Sequence, residues 1–232
     1  MFPYRIRFSK LGRMRFLSHH DLMRLWERAL RRSALPLKMT EGYNPHPRIS
    51  MPVALGIGIE SADEILEFEL STWVAPKIVE QKVASQLPEG VSVNGIEPFH
   101  RKEKKAVEYV EYEAEVERLP PDIEARIAAL MALKEAIVQR TSDKGSKPID
   151  VRKYLMDVVR DGRTLYLRVR VTESGTAKPE EALSLLGVSR KEGILIRKSF
   201  TEMRVRPPER RGPPRGGRRI VRRNVERRIQ PT

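Results

Sequence analysis

The sequence predicts an α+β protein made of two tandem ferredoxin-like (βαββαβ) halves, residues 1–100 and 106–203, followed by a disordered basic C-terminal tail over residues 204–232. Three observations predict it. Two-residue hydrophobic alternation gives way to helical periodicity twice, in the same order. Five consecutive charged residues, Arg101-Lys102-Glu103-Lys104-Lys105, separate the two rounds, because such a run cannot be buried. From Arg204 onward proline, glycine and arginine leave almost nothing to form a core.

In the first half, Tyr4-Arg5-Ile6-Arg7-Phe8 alternates as a half-buried strand and is expected to continue past Gly12 into Met14-Arg15-Phe16-Leu17. Ser18-His19-His20-Asp21 has the spacing of a helix capping box, in which the Ser18 hydroxyl and the Asp21 carboxylate satisfy free backbone N–H groups. Leu22, Leu25, Trp26 and Ala29 then recur at helical spacing up to Pro36. Strands are expected at 49–53 and 65–70, a helix opening at Pro76 with Ile78, Val79, Val83 and Leu87 inside, and a short strand at 91–93 after Pro88-Glu89-Gly90. The second half repeats the order. A strand spans 109–116, a helix 122–139, a hairpin 154–171 turning at Asp161-Gly162, a short helix opening at Pro179, and a strand 194–203. Asp161 is read as a turn residue and not as a catalytic aspartate.

The charge is unevenly placed. The net charge is +14, of which residues 1–50 contribute +8 and residues 204–232 contribute +9, leaving −3 for residues 51–203. A polyanion is the expected partner. No run of residues is apolar for the roughly 18 positions a membrane helix needs, and the start lacks the apolar stretch of a secretory signal, so a cytoplasmic location is expected. The chain has no cysteine, which excludes disulfides, thiolate nucleophiles and thiolate-held metal or iron–sulfur centres supplied by this chain.

Arg24, Arg28, Arg31 and Arg32 line a face of the first helix apart from its apolar stripe, with Arg13 and Arg15 just upstream. Such a row suits phosphates. It also suits plain solvation, yet only Asp21 and Glu27 are available on the helix to neutralise four arginines. The loop Glu41-Gly42-Tyr43-Asn44-Pro45-His46-Pro47-Arg48 offers a ring, an amide, an imidazole and a guanidinium, in Tyr43, Asn44, His46 and Arg48, all able to engage nucleic acid. The same loop reads equally as a rigid connector shaped by its glycine and prolines. His19, His20 and His46 are candidate catalytic residues. His19 and His20 lie in the first helical turn, where the helix dipole favours a neutral imidazole. Ser18-His19-His20-Asp21 together with Glu41 and His46 is weighed as a histidine and carboxylate metal site, but adjacent helical positions point about 100° apart and no metal is expected. Leu55-Gly56-Ile57-Gly58-Ile59-Glu60 lacks the glycine order of a nucleotide loop and is read as a bend between strands.

The strand, the Ser-His helix start, the arginine-rich helix and the Gly-Tyr-Asn-Pro-His-Pro loop occur together, and on these residues the chain resembles the radical SAM-linked protein family, a bacterial domain of unknown function. The resemblance runs from about residue 3 to 203 and excludes the tail. It implies a domain found alone or joined to a cobalamin-binding radical SAM protein, with stand-alone copies encoded beside such a protein and a ribonuclease of the E/G type. It implies no functional residues. Without cysteines this chain lacks the cluster-binding triad of a radical SAM enzyme and would be the linked module.

The expected function is therefore an RNA-binding accessory module, needing no cofactor, that works with a radical SAM protein in modification or processing of ribosomal or transfer RNA. Two alternatives stay open: a metal-independent endoribonuclease using His19, His20 or His46, and a scaffold that docks a radical SAM partner.

Overall fold

The computed structural model describes residues 1–99, 105–142, 145–188 and 195–205. Of the expected linker, 101–104 lies outside those residues and Lys105 opens a strand. Of the expected tail, 206–232 lies outside them, while Arg204 and Val205 are not tail but close the last strand, because their backbone pairs with Ala106 and Lys105.

The chain folds as a mixed α+β structure. Its strands are β1 (Phe2–Lys10), β2 (Ile49–Ser50), β3 (Ile59–Leu70), β4 (Val91–Pro98), β5 (Lys105–Glu115), β6 (Ile137–Ser142), β7 (Gly145–Asp150), β8 (Leu155–Asp161), β9 (Thr164–Arg170) and β10 (Leu195–Val205). Its helices are α1 (His19–Arg32), α2 (Pro76–Ala84), α3 (Ile123–Ala132) and α4 (Pro179–Leu185). One large sheet runs in the order β4-β1-β3-β10-β5-β9-β8, with β2 paired to β3, and β6 and β7 form a separate hairpin. Every pairing in the large sheet is antiparallel except that of β3 with β10.

Alternation places the core. Tyr4, Ile6 and Phe8 of β1 stand opposite Phe68, Leu66 and Glu64 of β3, so these side chains share one face of the sheet. α1 and α2 cover that face, with Phe8 edge-on to Trp26 at 4.7 Å between ring centres. A second buried cluster, from β5, β8, β9, α3 and α4, fills the corresponding space over the other half of the sheet. Removing each large apolar side chain from water contributes about 1.5–3 kcal/mol, so both halves have cores of their own.

Several expected elements take other forms. The segment Gly12–Phe16 is a 3-10 turn and not strand, because Gly12 leaves β1 at φ 60° and the Leu11 N–H donates to Gly90 O. The strand expected at 49–53 is reduced to β2. The helix expected over 122–139 stops at Ala132, and Ile137–Ser142 pairs with Gly145–Asp150 instead, since cross-strand hydrogen bonds outweigh a modest helix propensity. The β8–β9 hairpin does turn at Asp161-Gly162, where Gly162 adopts φ 55°.

The seam between β3 and β10 is the polar part of the fold. Parallel pairing covers only Ile59–Ser61 against Ile196–Lys198. Beyond it side chains complete the join. The Thr201 N–H donates to the Asp63 carboxylate at 2.9 Å, the Thr201 hydroxyl donates to Asp63 O at 3.1 Å, and Arg7 bridges the Asp63 carboxylate and Thr201 O. Lys198 and Glu64 form an ion pair at 2.5 Å with side chains 2% and 1% exposed. Fully buried Lys10 points its ammonium at the carbonyls of Arg15 and Leu17.

Candidate nucleic-acid interface

α1 begins where the sequence places it. The Ser18 hydroxyl accepts the Asp21 N–H at 3.1 Å and donates to the Asp21 carboxylate at 2.7 Å. Leu22, Leu25, Trp26, Ala29 and Leu30 are buried, which turns Arg24, Arg28, Arg31 and Arg32 outward. Their availability differs. Arg24 is 73% exposed and only 3.7 Å from Asp21, while Arg28 has no hydrogen bond or ion pair among the described residues. Arg31 is committed to Glu27 at 2.9 Å and to Pro45 O at 3.1 Å, and Arg32 donates to Gln86 O at 3.0 Å. These last two tie α1 to its neighbours.

The 41–48 loop is fastened against this face. The Thr40 N–H donates to His46 O at 2.7 Å, the His46 N–H donates to the Thr40 hydroxyl at 3.0 Å, and the Arg48 N–H donates to Lys38 O at 2.9 Å. Gly42 takes φ 138°, a backbone conformation side chains disfavour, and so turns the loop outward. The His46 ring lies 3.2 Å from the same Glu27 carboxylate that holds Arg31. Burial pushes the Glu27 pKa up, but hydrogen bonds from His46 and Arg31 outweigh it and hold the carboxyl below its ordinary value. Tyr43 is 100% exposed, and Asn44 is exposed beside it.

The other expected residues are dispersed. Arg13 is exposed on the 3-10 turn, whereas Arg15 is held by Glu60 at 3.3 Å and lies over the Phe16 ring. His19 and His20 adjoin with ring centres 5.9 Å apart. Burial lowers the His19 pKa, neighbouring His20 lowers it further, and Glu64 opposes both. Glu27, the partner of His46, lies eight positions beyond His19, about 12 Å along the helix axis. The three histidines therefore do not converge. Among the described residues no group of three or more histidine, aspartate or glutamate side chains is placed to hold a metal ion.

Two features escaped the sequence reading. Glu27 joins loop to helix, a long-range contact that no local pattern reports. The buried Lys10, Glu64 and Lys198 were legible in part, because Lys10 continues the inward parity of Tyr4, Ile6 and Phe8, and Glu64 shares that of Leu66, Phe68 and Leu70.

A family model described as "Uncharacterized protein conserved in bacteria (DUF2344)" matches residues 3–179. No curated protein matches. A solved structure described as "Crystal Structure of a Cbf5-Nop10-Gar1 Complex" is similar at 11% identity and a TM-score of 0.43, over 85% of this chain and 48% of that one, so the chain spans about half the length of the protein it matches there.

Proposed function

The chain belongs to that family of uncharacterized proteins conserved in bacteria, and from this premise we propose that it is an RNA-binding accessory module. One observation carries the reading: an outward arginine face on α1, with Arg28 unpaired among the described residues, adjoins a loop already ordered by Glu27 and Arg31. Guanidiniums held on a helix neutralise phosphates, and a pre-ordered loop loses little entropy on binding. The +8 charge of residues 1–50 supports it, and the eleven arginines of residues 204–232 would add sequence-independent affinity.

The resemblance to radical SAM-linked proteins supplies the partner in this reading, a cobalamin-binding radical SAM protein acting on RNA in the cytoplasm. Two ferredoxin-like halves are the matching architecture. The strand orders β4-β1-β3-β2 and β10-β5-β9-β8, all antiparallel, support it, with the β6–β7 hairpin inserted in the second half. An endoribonuclease built on His19, His20 or His46 is favoured less, because His46 is tied to Glu27, about 12 Å along the helix axis from His19, and so is not gathered with the other two histidines at one site.

The test is the salt dependence of RNA binding by the full chain, with and without the double change Arg24→Gln and Arg28→Gln. Arg31 and Arg32 are left in place because they hold the loop and α2. Each lost phosphate contact should reduce the log–log slope by roughly 0.7–0.9. An unaltered slope would remove α1 as the RNA-binding face.

A further inference from the structure

We propose that the ligand of the α1 face is single-stranded RNA, with an unpaired base stacked on the Tyr43 ring while Arg24 and Arg28 hold the adjoining phosphates; this rests on the RNA-binding reading above. Among the described residues Tyr43 is the most exposed of the large side chains bearing apolar surface, at 100%. Among the described residues its ring meets no other ring and no cation, unlike Tyr4, Tyr109 and Tyr154, each of which has an aromatic or cationic neighbour. A tyrosine in a collapsed loop would gain by folding its ring onto the protein. This one is kept away from it.

What keeps it there is the loop's fastening. Backbone hydrogen bonds close the loop at Thr40, His46 and Arg48, Gly42 turns it outward, and Glu27 grips it through His46 and Arg31. The ring is thus presented on a rigid base, and covering it costs little ordering entropy. The exposed face of an aromatic ring is met by a base only when that base is unstacked, as in single strands and loops. A paired duplex shows the protein its phosphates and 2′-hydroxyls and would leave the ring uncovered. Asn44 and His46, on either side of Pro45, are exposed and able to hydrogen-bond the edge of the stacked base.

The experiment compares the full chain with its Tyr43→Ala, Tyr43→Phe and Arg28→Gln variants, by fluorescence anisotropy against a 12-nucleotide unstructured RNA and a 12-base-pair RNA duplex. Stacking is worth about 1–3 kcal/mol per base, so Tyr43→Ala should weaken single-strand binding about 5- to 150-fold. Tyr43→Phe should retain it, and duplex binding should change less than about twofold. Arg28→Gln should lower the salt slope on both RNAs. Equal losses on the two RNAs, or no loss with Tyr43→Ala, would overturn the stacking proposal while the Arg28 effect left the RNA-binding reading standing. Failure of both RNAs to bind would overturn both.

Discussion

Replacing Glu64 by glutamine should unfold the seam more readily than any surface change. The substitution keeps size and shape but leaves the Lys198 ammonium, 2.5 Å from the Glu64 carboxylate and 2% exposed, without an ion-pair partner among the described residues. Breaking a buried ion pair by removing one partner costs about 3–5 kcal/mol. At about 2–4 °C per kcal/mol for a chain of this size, the melting temperature should fall by about 6–20 °C. Lys10 is affected too. Burial already lowers its pKa and Lys198 adds to this, while Glu64 is the opposing influence, so removing Glu64 favours the neutral amine. The double variant Glu64→Gln with Lys198→Met leaves neither member of the pair as a lone buried charge and should recover more than half of the loss. Denaturant titration of wild type, both single variants and the double variant gives the coupling directly. A Glu64→Gln loss below about 1 kcal/mol, or a double variant as unstable as the sum of the singles, would refute the reasoning.

Two further outcomes follow from local geometry. Gly90→Ala should cost about 1–3 kcal/mol in a urea titration, because Gly90 sits at φ +86° and a Cβ there would lie 2.9 Å from the Leu11 carbonyl oxygen, whereas Gly95→Ala, with open space around its Cβ, should be close to neutral. His19 has a folded-state pKa below its ordinary 6.5, so the unfolded chain takes up its proton first as the pH drops; stability should decline as the pH falls below about 6.5, and His19→Asn should flatten that decline in urea midpoints compared between pH 7.5 and 5.5.

Local chemistry was legible and long-range pairing was not. The Ser18 cap, the prolines that open α2 and α4, and the turn at Gly162 each act within a few residues, and each appears where the sequence places it. The 3-10 turn at Gly12–Phe16 was hidden because Met14-Arg15-Phe16-Leu17 mimics strand alternation, and only the contact with Gly90 fixes its shape. α3 was overextended for a similar reason: the partner strand of Ile137–Ser142 is what removes that segment from the helix. The candidate site divides the same way. Its arginine face follows from helical periodicity, while the grip of Glu27 on His46 joins residues 19 positions apart and exists only after folding.

The seam also has a consequence for how the chain is made. β3 waits for β10, since Ser61 and Lys198 are 137 residues apart, and a ribosome adding about 5–20 residues per second leaves that edge open for roughly 7–27 s. An open strand edge invites pairing with other chains. The exposed stretch is Glu60-Ser61-Ala62-Asp63-Glu64, whose three carboxylates repel copies of themselves. Glu60 and Glu64, which later bind Arg197 and Lys198, thus guard the nascent edge until its own partner arrives.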